Sequence, residues 1–253
     1  MTISSRDWLA FVNRLGLVSR RAAADLRAWV NARGGLLSID RQDLIDYVYA
    51  LATKYGEGTG ALAAAWYDAI AEASGKILPP AEPAPTATYA DAAQTVNGIA
   101  KVSENEEMIL GGLERLVKMP GVDTILDNAI RDGAEVAWIP SGDTCAFCLM
   151  LAGNGWVPAN KKLVRNGHAK HVHANCNCTY AVRFDESTRV AGYDPDRYRA
   201  MYDEAPGNSG EEKLNAMRRE FYAENREEIR AQQNSAYAKR MELESSAAEE
   251  ADV

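Results

Sequence analysis

Between Ala134 and Phe184 the chain reads AEVAWIPSGDTCAFCLMLAGNGWVPANKKLVRNGHAKHVHANCNCTYAVRF. The opening AEVAWIP is short, rich in β-formers and closed by Pro140, which predicts a strand that delivers the chain to Ser141-Gly142-Asp143. The end alternates with period two: Cys176, Cys178, Tyr180, Val182 and Phe184 fall on one side, and Asn177, Thr179, Ala181 and Arg183 on the other. Successive strand side chains point to opposite faces, so a second strand is expected whose cysteine end shares its apolar face. Two strands and the loop between them make a small α+β module at 134–190.

That module holds all four cysteines of the chain. Cys145-Ala-Phe-Cys148 has the spacing at which a tight turn aims two sulfurs at one ion, and His173-Ala-Asn-Cys176-Asn-Cys178 supplies a second group. In an intracellular chain such clustering reads as metal binding before it reads as disulfides. The candidate ligands are Cys145, Cys148, His173, Cys176 and Cys178, five for a tetrahedral site of four. Cys145 and Cys148 are completed either by Cys176 and Cys178 or by His173 with one of those two. A zinc ion closed by four protein ligands has no open position for water, so the expected cofactor is one structural zinc. The module is small enough for a metal to supply stability that burial alone does not.

Outward from the module the periodicity changes to helical, and the fold class expected is α+β, predominantly α-helical. Region 1–78 is an N-terminal helical bundle. Ser4 and Asp7 make a capping-box-like start, and Trp8, Phe11, Val12 and Leu15 recur at i, i+3, i+4, i+7, with Leu26, Trp29 and Val30 extending the stripe to Gly34-Gly35. A second helix starts near Asp40, carries Leu44, Tyr47, Val48, Leu51 and Tyr55 inward, and is expected to end at Gly56. A third covers Ala61 to Ser74. The run PPAEPAP from Pro79 to Pro85 fixes φ and removes donors, which makes 79–88 the linker candidate. Within 89–133, two helices are expected, one capped by Ser103 and Glu106 and carrying Met108, Leu113, Leu116 and Val117, the other over Val122 to Arg131. Region 191–243 reads as a helix at Arg197 to Glu204 and a long polar helix at Glu211 to Met241, and 244–253 as an acidic tail expected to be disordered.

With 253 residues, 47% hydrophobic and 25% charged, the composition is that of a chain able to bury a core. No signal peptide is expected at the N-terminus, and the apolar run from Gly58 stops at Asp68, short of the roughly 20 residues of a membrane span, so no membrane role is expected. A net charge of −8 repels phosphate backbones, leaving nucleic acid to a local patch. One such patch is Lys161, Lys162, Arg165 and Lys170, with His168, His171 and His173 and no acid among them. It reads first as a solvated loop and second as a contact to DNA phosphates.

Asp143-Thr144-Cys145-Ala-Phe-Cys148, followed by a glycine-broken loop and His173-Ala-Asn-Cys176-Asn-Cys178, resembles the phage Mu F-like minor head proteins. These carry a D-x-x-C-x-x-C motif and a later H-P-N-C-R-C-type segment. Here the D-T-C is one residue tighter, and Ala174 and Asn177 replace the proline and the arginine, with every ligand kept. The resemblance covers the central third of the chain. It implies a minor capsid protein of the virion, assembled in the bacterial cytoplasm, lying in the head interior beside the portal protein or the capsid inner surface, and acting in head morphogenesis or genome delivery. The polar helix after Gly210 is the candidate for docking onto that partner.

No enzymatic activity is expected. The only histidines lie in the cysteine cluster, metal-bound thiols are unavailable as nucleophiles, and no G-x-S-x-G elbow is present. The alternatives are a capsid maturation protease or other enzyme, including a three-ligand catalytic zinc with Glu135 or Asp143 as base, and a zinc-dependent nucleic-acid-binding module.

Overall fold

The Ser4 side chain accepts the Asp7 N–H at 3.1 Å and starts helix α1, Ser5–Asn31, as its sequence requires. The computed structural model describes residues 1–100, 106–141, 144–160 and 178–224. Along α1 the apolar stripe faces inward: Trp8, Phe11, Val12, Leu15, Leu26 and Val30 are all buried. The helix ends where Gly34 and Gly35 take φ of 80° and 100°, conformations that other residues rarely adopt.

Helix α2 runs Arg41–Ala73 without a break, passing through the expected stop at Gly56. The reason is the neighbour. A Cβ on Gly56 would lie 3.2 Å from the Pro120 ring, so the glycine serves a close helix crossing, not a terminus. Helix α4, Glu106–Asp132, likewise merges the two helices expected on either side of Pro120. Proline leaves the Leu116 carbonyl without its helical donor and crowds the turn below. Across the crossing, the buried Thr59 hydroxyl donates to the Val117 carbonyl at 2.6 Å, and Gly121 lets α4 approach the Thr59 carbonyl. Tertiary packing thus carries α4 through a residue that would otherwise divide it.

Between these helices lies α3, Tyr89–Ala100, which the sequence reading did not resolve as a separate helix. Its signal was present: the Thr88 hydroxyl and the Asp91 carboxylate exchange bonds with each other's backbone N–H, a capping box, and Ala92 and Val96 are buried four residues apart. The proline-rich segment before it has its backbone taken up by α2 and α4 side chains. Asp68 accepts the Ala81 N–H, Thr124 that of Ala84, and Asn128 both accepts the Glu82 N–H and donates to the Glu82 carbonyl. Arg131 donates to the Pro79 and Pro80 carbonyls at 3.0 Å.

The expected strands are β2, Glu135–Ile139, and β4, Thr179–Arg183; a two-residue β1, Thr2–Ile3, precedes them in the chain. They pair antiparallel with Ile139 opposite Thr179 and Glu135 opposite Arg183. A short β3, Val157–Pro158, adds to the other edge of β2, giving the order β3-β2-β4. The N-terminus is tied in as well, because β1 pairs in parallel with β5, Arg189–Val190. Both faces of β4 are covered. The Phe184 ring meets Tyr67 of α2 edge-on, whereas the Arg183 guanidinium lies over the Trp156 ring on the other side. Accordingly Thr179 and Ala181 are as buried as Tyr180 and Val182.

The fold is therefore α+β and predominantly helical, with seven α-helices among the described residues. One core joins Trp8 and Phe11 of α1, Tyr67 and Ile70 of α2, Ile125 and Leu126 of α4 and the sheet residues Val136, Trp138, Tyr180 and Val182. A second fills the far end of the bundle between Leu26, Val48, Val96, Leu113 and Leu116. The strand module does not stand on a small core of its own. The chain ends its described part with α6, Pro195–Glu204, and α7, Gly210–Glu224. The rest of the expected helix to Met241 and the 244–253 tail lie outside the described residues.

Candidate metal centre

Antiparallel pairing of β2 with β4 places the exit of β2 and the entry of β4 at one end of the sheet, since Ile139 and Thr179 are partners. Cys145 and Cys148 follow β2 from that end, and Cys178 immediately precedes β4 there. Helix α5, Ala146–Ala152, follows β2. Cys145 is its N-cap, with extended backbone at φ −73° and ψ 158°, and its carbonyl accepts the Leu149 N–H at 3.1 Å. Cys148 occupies the third helical position. The pair expected on a tight turn is thus on the first turn of a helix, where the N-cap and third positions adjoin.

Cys148 and Cys178 are buried at 1% and 3% exposure, and Cys145 is half-buried against the same core. The Thr144 hydroxyl, one residue from Cys145, lies 3.9 Å from the Cys178 sulfur. Residues 34 apart in sequence are thereby brought into contact. The described cysteines are not joined by disulfides. Soft sulfur donors from two segments at one end of a sheet are the donor chemistry that a tetrahedral zinc takes. Among the described residues no three His, Cys, Asp or Glu side chains form a metal-holding group. His173 and Cys176 lie outside the described residues, as do Asp143, His168, His171 and the patch Lys161, Lys162, Arg165 and Lys170.

Helix α5 has only seven residues and depends on its surroundings. Cys148 and Leu151 face the main core. Ala146 and Leu149 face α6 and α7, packing with Tyr202, Ala205, Leu214 and Met217. Its last turn is closed from outside: Tyr193 donates its hydroxyl to the Ala152 carbonyl at 2.7 Å, and Arg199 donates to that of Gly153 at 3.0 Å. The apolar positions of the polar C-terminal helix, as far as Met217, are thus engaged by the chain itself.

Glu135, a candidate base, stands at the opposite end of β2 and is ion-paired at 2.6 Å with Arg183 directly across the ladder. Beside the cysteine end, a cleft of about 230 Å³ lies between Trp8 and Leu9 of α1, Pro140 and Ser141 after β2, and Tyr193 and Tyr198. The indole N–H of Trp8 donates to Ser141 there. A second electrostatic feature escaped the sequence reading. On α4, Asp123 has its carboxyl pushed up to about 7 by burial and by the charge of Asp127 one turn on, and Asp127 is itself raised by burial. Burial, with Asp123 opposite, raises the Tyr180 phenol. A pattern of i, i+4 aspartates is visible in the sequence; their desolvation against the sheet is not.

Fold and site together define a helical protein built around a small sheet with a cysteine-bearing edge. A family model described as VG15 protein matches residues 2–205, more than half of the chain, and the chain belongs to that family, a viral gene protein family that marks it as a phage protein. The match ends at the close of α6, before α7 begins. No curated protein and no solved structure matches it. No helix among the described residues is long and apolar enough to cross a membrane.

Proposed function

We propose that the protein is a structural minor head (minor capsid) protein of a tailed phage, associated with the portal inside the capsid and acting in head morphogenesis or genome delivery. Its cysteine edge holds one structural zinc. The observation that carries the zinc is the contact between Thr144 and Cys178, which joins the two cysteine segments of the Mu F-like motif at one end of the sheet. The proposed ligands are Cys145 and Cys148, completed either by Cys176 and Cys178 or by His173 with one of those two. A four-ligand zinc there tethers α5 to the start of β4 and activates no water.

The head role rests on the motif resemblance together with membership of a viral family. Cross-linking mass spectrometry of assembled heads tests it: cross-links to portal or inner capsid surface are expected, and a chain absent from heads refutes it. For the metal, purified protein should carry about one zinc per chain, lost in Cys145→Ser/Cys148→Ser. Full zinc content in that variant would remove the assignment.

A further inference from the structure

The outer face of α1 is a stripe of arginines in an otherwise acidic chain. The helix carries five arginines, two aspartates and no lysine or glutamate, a net of +3 in a protein of −8. At about 100° per residue, Arg6, Arg14, Leu17, Arg20 and Arg21 fall within an arc of about 120° opposite the buried Trp8, Leu15, Ala22 and Leu26. All five stripe residues are exposed, Leu17 at 62%. The two aspartates lie at the margin and are engaged: Asp7 accepts the Ser4 hydroxyl, and Asp25 accepts the Tyr55 hydroxyl and pairs with Arg21. Further along, Arg27 is neutralised by Glu106 and Glu107 of α4. Arg6, Arg14 and Arg20 make no ion pair with a described residue.

We propose that this stripe binds the phosphate backbone of duplex DNA. From Arg6 to Arg21 it extends about 22 Å, a length over which a duplex presents phosphates continuously. The guanidinium fork matches phosphate in a bidentate way, and carboxylates are kept off the face. An anionic membrane would require a broad apolar face beside the charges, and Leu17 with Leu9 at the margin does not supply one. The acidic remainder of the molecule orients the encounter, turning α1 toward a polyanion and the rest away. The contact is sequence-independent, because a helix that reaches phosphates only has no access to base edges. No residue of the stripe belongs to the candidate ligands or to the group Lys161, Lys162, Arg165 and Lys170.

Fluorescence anisotropy of the full chain with a labelled 30-base-pair duplex of arbitrary sequence tests this. Binding is expected at low salt, with log K falling steeply against log salt. In Arg6→Gln/Arg14→Gln/Arg20→Gln/Arg21→Gln the slope should flatten by about 3.6, so that wild type loses roughly 150-fold more affinity than the variant between 50 and 200 mM salt. If the quadruple variant does not melt like wild type, Arg14→Gln and Arg20→Gln singly should each remove about 0.9 of slope. Three results overturn the proposal: no binding at the lowest salt, a slope untouched by the α1 changes yet abolished by Lys161→Gln/Lys162→Gln/Arg165→Gln/Lys170→Gln, or binding of polyglutamate in place of duplex, which would assign the stripe to an acidic protein.

Discussion

Asp123 sits half-buried on α4 with Asp127 one turn away and the Tyr180 ring facing it from the sheet, and no cation neutralises it among the described residues. Its carboxyl is raised from the ordinary 3.8 to about 7, so the folded state binds that proton more tightly than the unfolded chain. Stability from this group is fully present below about pH 4 and is lost as pH rises through about 7. The shift corresponds to at most about 4 kcal/mol, which solvent on one side of the group brings to about 2 kcal/mol. Urea unfolding between pH 4.5 and 8 should show wild type weakening by that amount. Asp123→Asn should flatten the profile and stabilise the protein at pH 8; an unchanged profile would place the pH dependence elsewhere.

At the scale of elements, α5 connects three things: the cysteine pair at its start, the sheet on one side, and α6 with α7 on the other. The α6–α7 unit rests on the body chiefly through α5. Placing a charge in that contact, as in Met217→Asp, should release α7 while leaving α1, α2 and α4 intact, because Met217 is buried in a small satellite cluster outside the main core. Hydrogen exchange should rise throughout 195–224 and stay unchanged at Thr59 and Leu126. A loss of protection in the bundle as well would show that the arm stabilises the whole molecule. The family match ends where this arm begins its last helix, which agrees with α7 being an appended element.

For the whole molecule, the decisive fact is that Val136, Trp138, Tyr180 and Val182 share a core with α1, α2 and α4. A module with its own small core would unfold on losing its metal. Embedded in the main core, this sheet should survive. Stripping the proposed zinc from the purified protein with a chelator is therefore expected to lower Tm by only about 4–8 °C, the change that roughly 2 kcal/mol makes in a chain of this size. Increased exchange should be confined to α5 and the start of β4. Global unfolding would mean that the metal, not the shared core, holds the sheet.

How much of this was legible beforehand follows from the range of the interactions involved. The Ser4 cap, the α1 stripe, the Gly34-Gly35 stop and both principal strands are properties of a few neighbouring residues, and spacing is sufficient to read them. The Thr88–Asp91 capping box is of the same local kind. Gly56 and Pro120 are the opposite case: each is a breaker by local preference, and each is kept within a helix by a partner more than fifty residues away, through the Gly56–Pro120 contact and the bond from Thr59 to Val117. The burial of both faces of β4, the pairing of Glu135 with Arg183 and the raised carboxyl of Asp123 belong to the same class. Local periodicity and capping thus determined the elements and the candidate ligands, because those free energies reside within a turn or two of chain. Their continuity, their shared core and the charge states within it were decided only by tertiary packing, because the groups that set them meet nowhere in the sequence.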